Sequence, residues 1–436
     1  MTVQPIDVGL LGDTRDAGGD VSADVSAPPD APAFIDASGF CQGHGPIPLP
    51  GSDQCTGDLA HLFRFAACAC GSLDASGRLT TDSFDSSGDG GAGSGQAASI
   101  AANGAVATNA HTTLGGSVYA GGAGVAQGSA AVTLRGDGTV AHDLLSGGDV
   151  LVGGIYQVGG DLDSTGNVTI QSGSLSVVGT VHLTAGHSAS GVTAGGGVAS
   201  DGTAVAPPCD CSRPIDIAGI VAAHQSDNDD GALGLATTAL DHPPSPVQLP
   251  CGRYYVDGVQ GGTVQLLVQG RVALFVAGDV SVDQGLEIDL APDAELDLFV
   301  SGNVSLQGAT TLGNVSAPAR VRLYVGGPTV TLSATASVGA NVYAPDAVVA
   351  LASSFEMKGA LFAQQLEFSG DFTIHYDTSV LQTPGCTPSG SPCQTCDDCA
   401  GATPACKAGT CVPCVTTADC CAPLTCSAGR CVLPAQ

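Results

Sequence analysis

Between Val272 and Tyr376 the chain repeats at strand-sized intervals, and few folds can accommodate such a repeat. Val272, Leu274 and Val276 recur as Leu296, Leu298 and Val300 after 24 residues, then as Val321, Leu323 and Val325 after 25 more. Two further copies follow at 19-residue steps, marked by Tyr343 and Phe362. Within each copy apolar residues alternate with Ala, Asp, Arg and aromatics, the period-2 pattern of a strand with one buried face. Repeats of roughly 20 to 30 residues indicate a solenoid, in which each rung buries the hydrophobic face of its neighbour. The expected fold is therefore all-β, a parallel β-helix with short capping helices.

A second period runs through residues 98–185. Val132, Val150 and Val168 are 18 apart, as are Leu134, Val152 and Ile170; Val140 to Val158 and Leu144 to Leu162 repeat the step. Eighteen residues divide into three six-residue faces, and in this spacing the segment resembles the triangular rungs of bactofilin-type structural solenoids. Gly accounts for 63 of the 436 residues, Trp is absent and 12% of residues are charged, which suits many short strands joined by tight turns. Of the 41 acidic residues only Glu287, Glu295, Glu356 and Glu367 are Glu. Asp bonds to nearby backbone in turns, so turn chemistry is the favoured account of its abundance and calcium binding the lesser one.

A formal net charge of −29 opposes binding to nucleic acid or anionic lipid. Eighteen Cys point to an oxidising, extracytoplasmic compartment. Eight lie in the body, Cys41, Cys55, Cys68, Cys70, Cys209, Cys211, Cys251 and Cys386, and are expected to form disulfides, with the two Cys-x-Cys pairs joined to distant partners. Ten more crowd the tail: Cys393, Cys396, Cys399, Cys406, Cys411, Cys414, Cys420, Cys421, Cys426 and Cys431. Asp398-Cys399, Cys406 and Cys411-Val412 match Asp419-Cys420, Cys426 and Cys431-Val432, a repeat of about 20 residues. The tail resembles the small disulfide modules of Dickkopf-type and knottin-like domains. Zinc is the rival use of its Cys393, Cys396, Cys399, Cys411 and Cys414 spacing, but the tail has no His and its gaps vary.

The expected organisation is a disordered acidic tether at 1–38, a cap at 39–97 and a first solenoid section at 98–206. A helix and loop insertion follows at 207–250, then a second section at 251–385 and the Cys-rich module at 386–436. Asp58 is expected to cap a helix carrying Leu59, Leu62, Phe63 and Ala66 on one face and ending in Cys68-Ala69-Cys70, which would close an open solenoid end. Residues 186–210 read as loop. Pro214 opens a second helix with Ile217, Ile220, Val221 and His224 on one face. The tether resembles the segment behind the anchoring cysteine of bacterial surface lipoproteins, although residues 1–20 hold no apolar run of signal-peptide or membrane-spanning length.

Cys209-Asp-Cys211, the helix from Asp216, Leu249-Pro-Cys251-Gly-Arg-Tyr-Tyr, Ala273-Leu-Phe-Val-Ala-Gly-Asp279 and Ile374-His-Tyr-Asp377 together carry a further resemblance. Over about residues 34–382 the chain is similar to a family of uncharacterised, predicted β-helical proteins common in myxobacteria. That resemblance implies a parallel β-helix, a surface or secreted location and no reaction.

Four constellations bear on function. Phe275, Phe299, Tyr324, Tyr343 and Phe362 form an outward ladder. Exposed, it would be a sugar-stacking platform; the favoured alternative is that residues 214–250 cover it. Asp227-Asn-Asp-Asp-Gly231 resembles a calcium loop, but EF-hand spacing would put Ser226 and Thr237 where acids belong, so a solvated helix-ending turn is favoured. His375, Tyr376 and Asp377 are expected to cap the last rung, with Tyr376 inward and His375 outward. Asn167, Asn303 and Asn314 head glycosylation sequons, each after a Gly, and are read as turn residues that tolerate left-handed backbone.

The sequence thus points to a secreted or surface-exposed structural or adhesive solenoid, with surface glycans or other envelope proteins as partners and no cofactor. No catalytic set is assigned. The rival is a polysaccharide-binding or polysaccharide-degrading β-helix enzyme, which needs a basic residue beside clustered acids. Arg320 and Arg322 share an outward face, and Asp297 alone aligns with Arg322.

Overall fold

The computed structural model describes residues 40–42, 45, 47, 62–87, 97–126, 129–212, 214–332 and 336–382, with 405–407, 410–412, 414–421, 424–427 and 430–432 of the tail. The described residues all belong to the unit Ser38–Gln436. The tether, Cys55, Asp58, Leu59, Cys386, Cys393, Cys396 and Cys399 lie outside the described residues.

Parallel strands stack in register on three faces. On the first, Val272, Leu274 and Val276 pair with Leu296, Leu298 and Val300, and these with Val321, Leu323 and Val325. All nine are buried in one continuous core. Tyr324 then aligns with Tyr343, and Tyr343 with Phe362. The 18-residue copies also stack as their spacing demands, Val132 with Val150 and Val168, and Leu144 with Leu162.

The two sections are one solenoid, joined in an order that chain sequence does not suggest. Strands Ala67–Ala69, Leu73–Ala75 and Leu79–Phe84 make a full rung with two neighbours. One neighbour is the last rung of the second section, where Cys68 pairs with Phe362, Leu73 with Leu366 and Leu79 with Phe372. The other is the first rung of the first section, where Cys68 pairs with Ala101, Leu73 with Val106 and Leu79 with Thr112. Residues 67–84 are therefore the joint and not a terminal cap. Cys68 stands in a strand rather than at the end of a helix, and Leu62 is the described helical residue of that segment. The alternation of Leu73, Ala75 and Leu79 with polar residues is a strand pattern too short to reveal a third repeat.

Twelve three-sided rungs stand along the axis, roughly 60 Å at about 4.8 Å per rung. At one end lies the rung of Gly252–Val256, and at the other Ala189–Ser190, Val192–Ala194 and Val198–Ala199, a region expected to be loop. Its Gly-rich composition hides strands of two and three residues. In the tail, Ala405–Lys407 pairs antiparallel with Thr410–Val412, and Thr425–Ser427 with Arg430–Val432, so the two sequence copies are two hairpins.

The surplus of Asp has a geometric cause at the corners. Ser117 N–H donates to Ser99 Oγ (2.9 Å), Asp143 N–H to Ser117 Oγ (3.1 Å), Asp161 N–H to Asp143 Oδ1 (2.8 Å) and Thr180 N–H to Asp161 Oδ1 (2.7 Å). One short side chain per rung thus satisfies the turn amide of the next. Asp149, Asn167 and Ser188 repeat the device at another corner, and Asp279, Asn303 and Thr329 do so in the second section. This also corrects the reading of the sequon residues. None of Asn167, Asn303 and Asn314 has positive φ. Asn167 and Asn303 serve the next rung, and Asn314 Oδ1 accepts Ser316 N–H.

Replacing Asp161 by Ala leaves the Thr180 amide without its acceptor and is expected to cost about 1 kcal/mol in urea unfolding, whereas Asp161→Asn, which keeps Oδ1, should recover most of it.

Candidate functional site

From the far rung the chain must return along the solenoid to begin the second section, and this return, residues 200–246, is a strap. Its midpoint is fastened at the joint. Cys68 bonds to Cys209 and Cys70 to Cys211, each pair 141 residues apart in sequence, so the two Cys-x-Cys motifs are partners of one another. Asn103 clamps the same point, accepting from Cys209 N–H and donating to its carbonyl, both at 2.8 Å. Arg64 donates to Pro208 O. A loop of this length contributes roughly 5 kcal/mol when closed, in the chain-entropy account.

Beyond the staples the strap lies over the aromatic ladder. Phe275 and Phe299 stack at 5.3 Å between centroids, Phe299 and Tyr324 at 4.5 Å, and Tyr343 follows Tyr324 at 6.2 Å and meets Phe362 at 4.9 Å. Ile215 N–H donates to Tyr343 Oη, and burial raises the Tyr343 hydroxyl above its ordinary range. The helix Ile217–Ala223 follows, buried through Ile217, Ile220 and Val221. The helix begins at Ile217, three residues after the expected start at Pro214, because Asp216 is its N-cap and its carboxylate accepts Gly219 N–H. The strap lies close to the strand end here, since a Cβ added at Gly326 would stand 3.4 Å from Ile217 Cβ. His224 closes the row, its ring 3.9 Å from that of Phe275 and nearly parallel to it.

All five ladder rings are at most 2% exposed. They therefore offer no surface to a sugar: the ladder is covered, as favoured from the sequence, and the sugar-stacking alternative is set aside. Outward positions on this face are core positions of a second layer.

The acidic loop proves to be an edge cap. Arg253 N–H donates to Asp229 Oδ2 (2.8 Å), Tyr255 N–H to Asp230 Oδ1 (3.1 Å), and Asp229 N–H to Arg253 O (2.7 Å). These amides are the free edge of the outermost strand on the first face, and the carboxylates replace a missing neighbour. Asp230 is buried, which raises its carboxyl, so the turn is not the solvated one expected. Calcium-loop composition and edge capping both need clustered short acids, and sequence does not separate them.

Asp297 and Arg322 meet in register, Nε to Oδ1 at 2.5 Å and Nη2 to Oδ2 at 3.1 Å, and Arg322 Nη2 also reaches Glu295 Oε2 at 3.0 Å. Glu295 accepts Gly45 N–H, while Arg271 donates to the carbonyls of Phe40 and Gly45 and lies 4.5 Å from the centroid of the Phe40 ring. Phe40 and Gly45, beside the Cys41–Cys251 bond, thus meet this charged group, a contact with no sequence signal beyond the cysteines. Burial alone would lower the Arg322 guanidinium; the Asp297 carboxylate reverses this and holds it charged. Both side chains are 1% exposed, so the pair cannot touch a polymer substrate. Arg320 pairs separately with Asp293 in solvent.

His375 does bring three strands together, Nδ1 at 2.6 Å from Asp82 and Nε2 at 3.1 Å from Glu356. Tyr376 points inward and donates to Phe63 O, and buried Asp377 accepts from the Ser86 amide and hydroxyl. These residues sit at the joint, paired with Leu79–Phe84, and not at a solenoid end. In the tail, Cys414 bonds to Cys426 and Cys420 to Cys431. No free cysteine occurs among the described residues.

This geometry defines a three-sided parallel β-solenoid braced along one face by a disulfide-stapled strap. Residues 199–383, the strap and the second section, match a domain of unknown function, DUF7305. No curated protein and no solved structure matches the chain.

Truncating Arg322 to Ala leaves Asp297 buried without a partner and is expected to cost about 3–5 kcal/mol in chemical denaturation, while the double change Asp297→Leu with Arg322→Met should be close to neutral. Burial lowers the His224 pKa, with the Ile220 carbonyl, Asp227 and Arg253 as its other influences. The unfolded chain therefore takes up that proton more readily. Its contribution to stability is full above about pH 6.5 and falls as pH drops below it. His224→Leu should flatten the pH dependence of urea stability in that window.

Proposed function

We propose that the protein is a secreted or surface-exposed structural solenoid, with an adhesive role through contacts to surface glycans or other envelope proteins, and with the disulfide-rich hairpins of its tail as a presented module. The reading assigns it no catalytic step and no cofactor. One observation carries it: the fold is closed upon itself by Cys68–Cys209 and Cys70–Cys211, cross-links that persist in oxidising compartments. The net charge of −29, unsuited to nucleic acid, and the absence of any membrane-crossing helix among the described residues are compatible with it. The burial of the ladder and of Asp297–Arg322 supports a scaffold over the rival polysaccharide-acting enzyme, because both sets form packing.

Intact cells producing the native protein can be treated with a membrane-impermeant protease and, separately, lysed into alkylating reagent for mass spectrometry. The expected result is cleavage from outside or recovery in the medium, with Cys68, Cys70, Cys209 and Cys211 protected from alkylation. A protease-resistant intracellular pool with those four thiols alkylated would overturn the reading.

A further inference from the structure

The two ends of the solenoid are finished differently. At one end the free amides of Arg253 and Tyr255 are taken by Asp229 and Asp230. At the other, Ala189–Ser190, Val192–Ala194 and Val198–Ala199 each pair with one strand of the rung below, and no described residue pairs with their outer edges. The strap does not cross this end; it leaves down the first face, where Gly202 N–H bonds to Leu183 O. Apart from the shortness of its strands, this edge carries no charge or proline to block pairing, since residues 185–199 contain no Lys, Arg, Asp, Glu or Pro.

We infer that this end docks on the same end of a second copy of the chain, related by a two-fold axis. Two arguments select that occupant. The first is electrostatic. A chain of net charge −29 repels its own copy over most of its surface, whereas residues 185–199 of the end rung carry His187 and no acid, and the adjacent Asp201 is engaged by His182 of the rung below, so close approach is opposed less here.

The second is shape. The rung ends as a ramp that climbs from Ala189–Ser190 through Val192–Ala194 to Val198–Ala199, one strand spacing per turn. Two ramps of the same hand meet flush under a two-fold, with the low step of one against the high step of the other. Ala189–Ser190 then faces Val198–Ala199 of the copy, both of two residues. The mid-height strand Val192–Ala194 pairs antiparallel with itself, with Thr193 at its centre. A small contact of this kind belongs with weak, transient interfaces. Association therefore rises with concentration.

Thr193 is exposed, so a substitution there reads the contact without disturbing the core. Opposed residues of an antiparallel pair lie roughly 5 Å apart, within disulfide reach. Full-length Thr193→Cys is expected to give a cross-linked dimer on non-reducing gels under mild oxidation. Thr139→Cys, exposed in the same outward column three rungs inside, serves as the control. Sedimentation of the wild-type chain over a concentration series should show reversible dimers that Thr193→Asp, which sets two carboxylates against each other across the two-fold, abolishes with its melting temperature unchanged. A monomer at every concentration, or equal cross-linking of the Thr139→Cys and Thr193→Cys chains, would overturn the inference. A ladder of higher oligomers would replace it with head-to-tail stacking.

Discussion

Parallel pairing of the joint rung to both its neighbours is the constraint from which the rest of the architecture follows. Once Ala67–Ala69 lies between Leu361–Phe368 and Ile100–Ala102, the first section must run away from the joint and the second must run towards it. The chain then has to cross from one end of the solenoid to the other between them. The strap, its staples, the layer over the aromatic ladder and the capped edge at Arg253 and Tyr255 all follow from that crossing.

The strap gives the first face of the second section an inside where a plain solenoid has an outside. Phe275, Phe299, Tyr324, Tyr343 and Phe362 are the consequence, and the next position in that column is Cys68, where a disulfide takes the place of a ring. The charged group around Arg322 is covered in a similar way where Phe40 and Gly45 bond to Arg271 and Glu295. Chemistry that looks available when the strands are considered alone is thus consumed by packing.

Local order was legible in the sequence and non-local order was not. Alternation and spacing identify the copies at Val272, Leu296 and Val321, and the amphipathic residues Ile217, Ile220, Val221 and His224 identify the buried helix face, because both depend on neighbours a few residues away or one period away. The joint depends on a rung that occurs once, so no period announces it. The pairing of Cys68-Ala-Cys70 with Cys209-Asp-Cys211 has a signal in its equal spacing, but that signal acquires meaning only when the strap is known to run beside the strand. Asp229 and Asp230 were visible as a cluster and opaque as a device, since the amides they serve belong to Arg253 and Tyr255, more than twenty residues on.

Between Ala199 and Cys209 the strap spans six rungs, roughly 29 Å at about 4.8 Å each. Ten residues reach at most about 33–36 Å when fully extended. Very little slack is left, so this stretch acts as a tie rod fixed at the joint and at the last turn. A tie of set length ties the number of rungs to the number of strap residues. A rung gained by duplication of eighteen residues would bring the span to about 34 Å, at the limit of that reach, unless the strap lengthened by one or two residues at the same time, and for that reason the length of the rod couples two separate stretches of sequence.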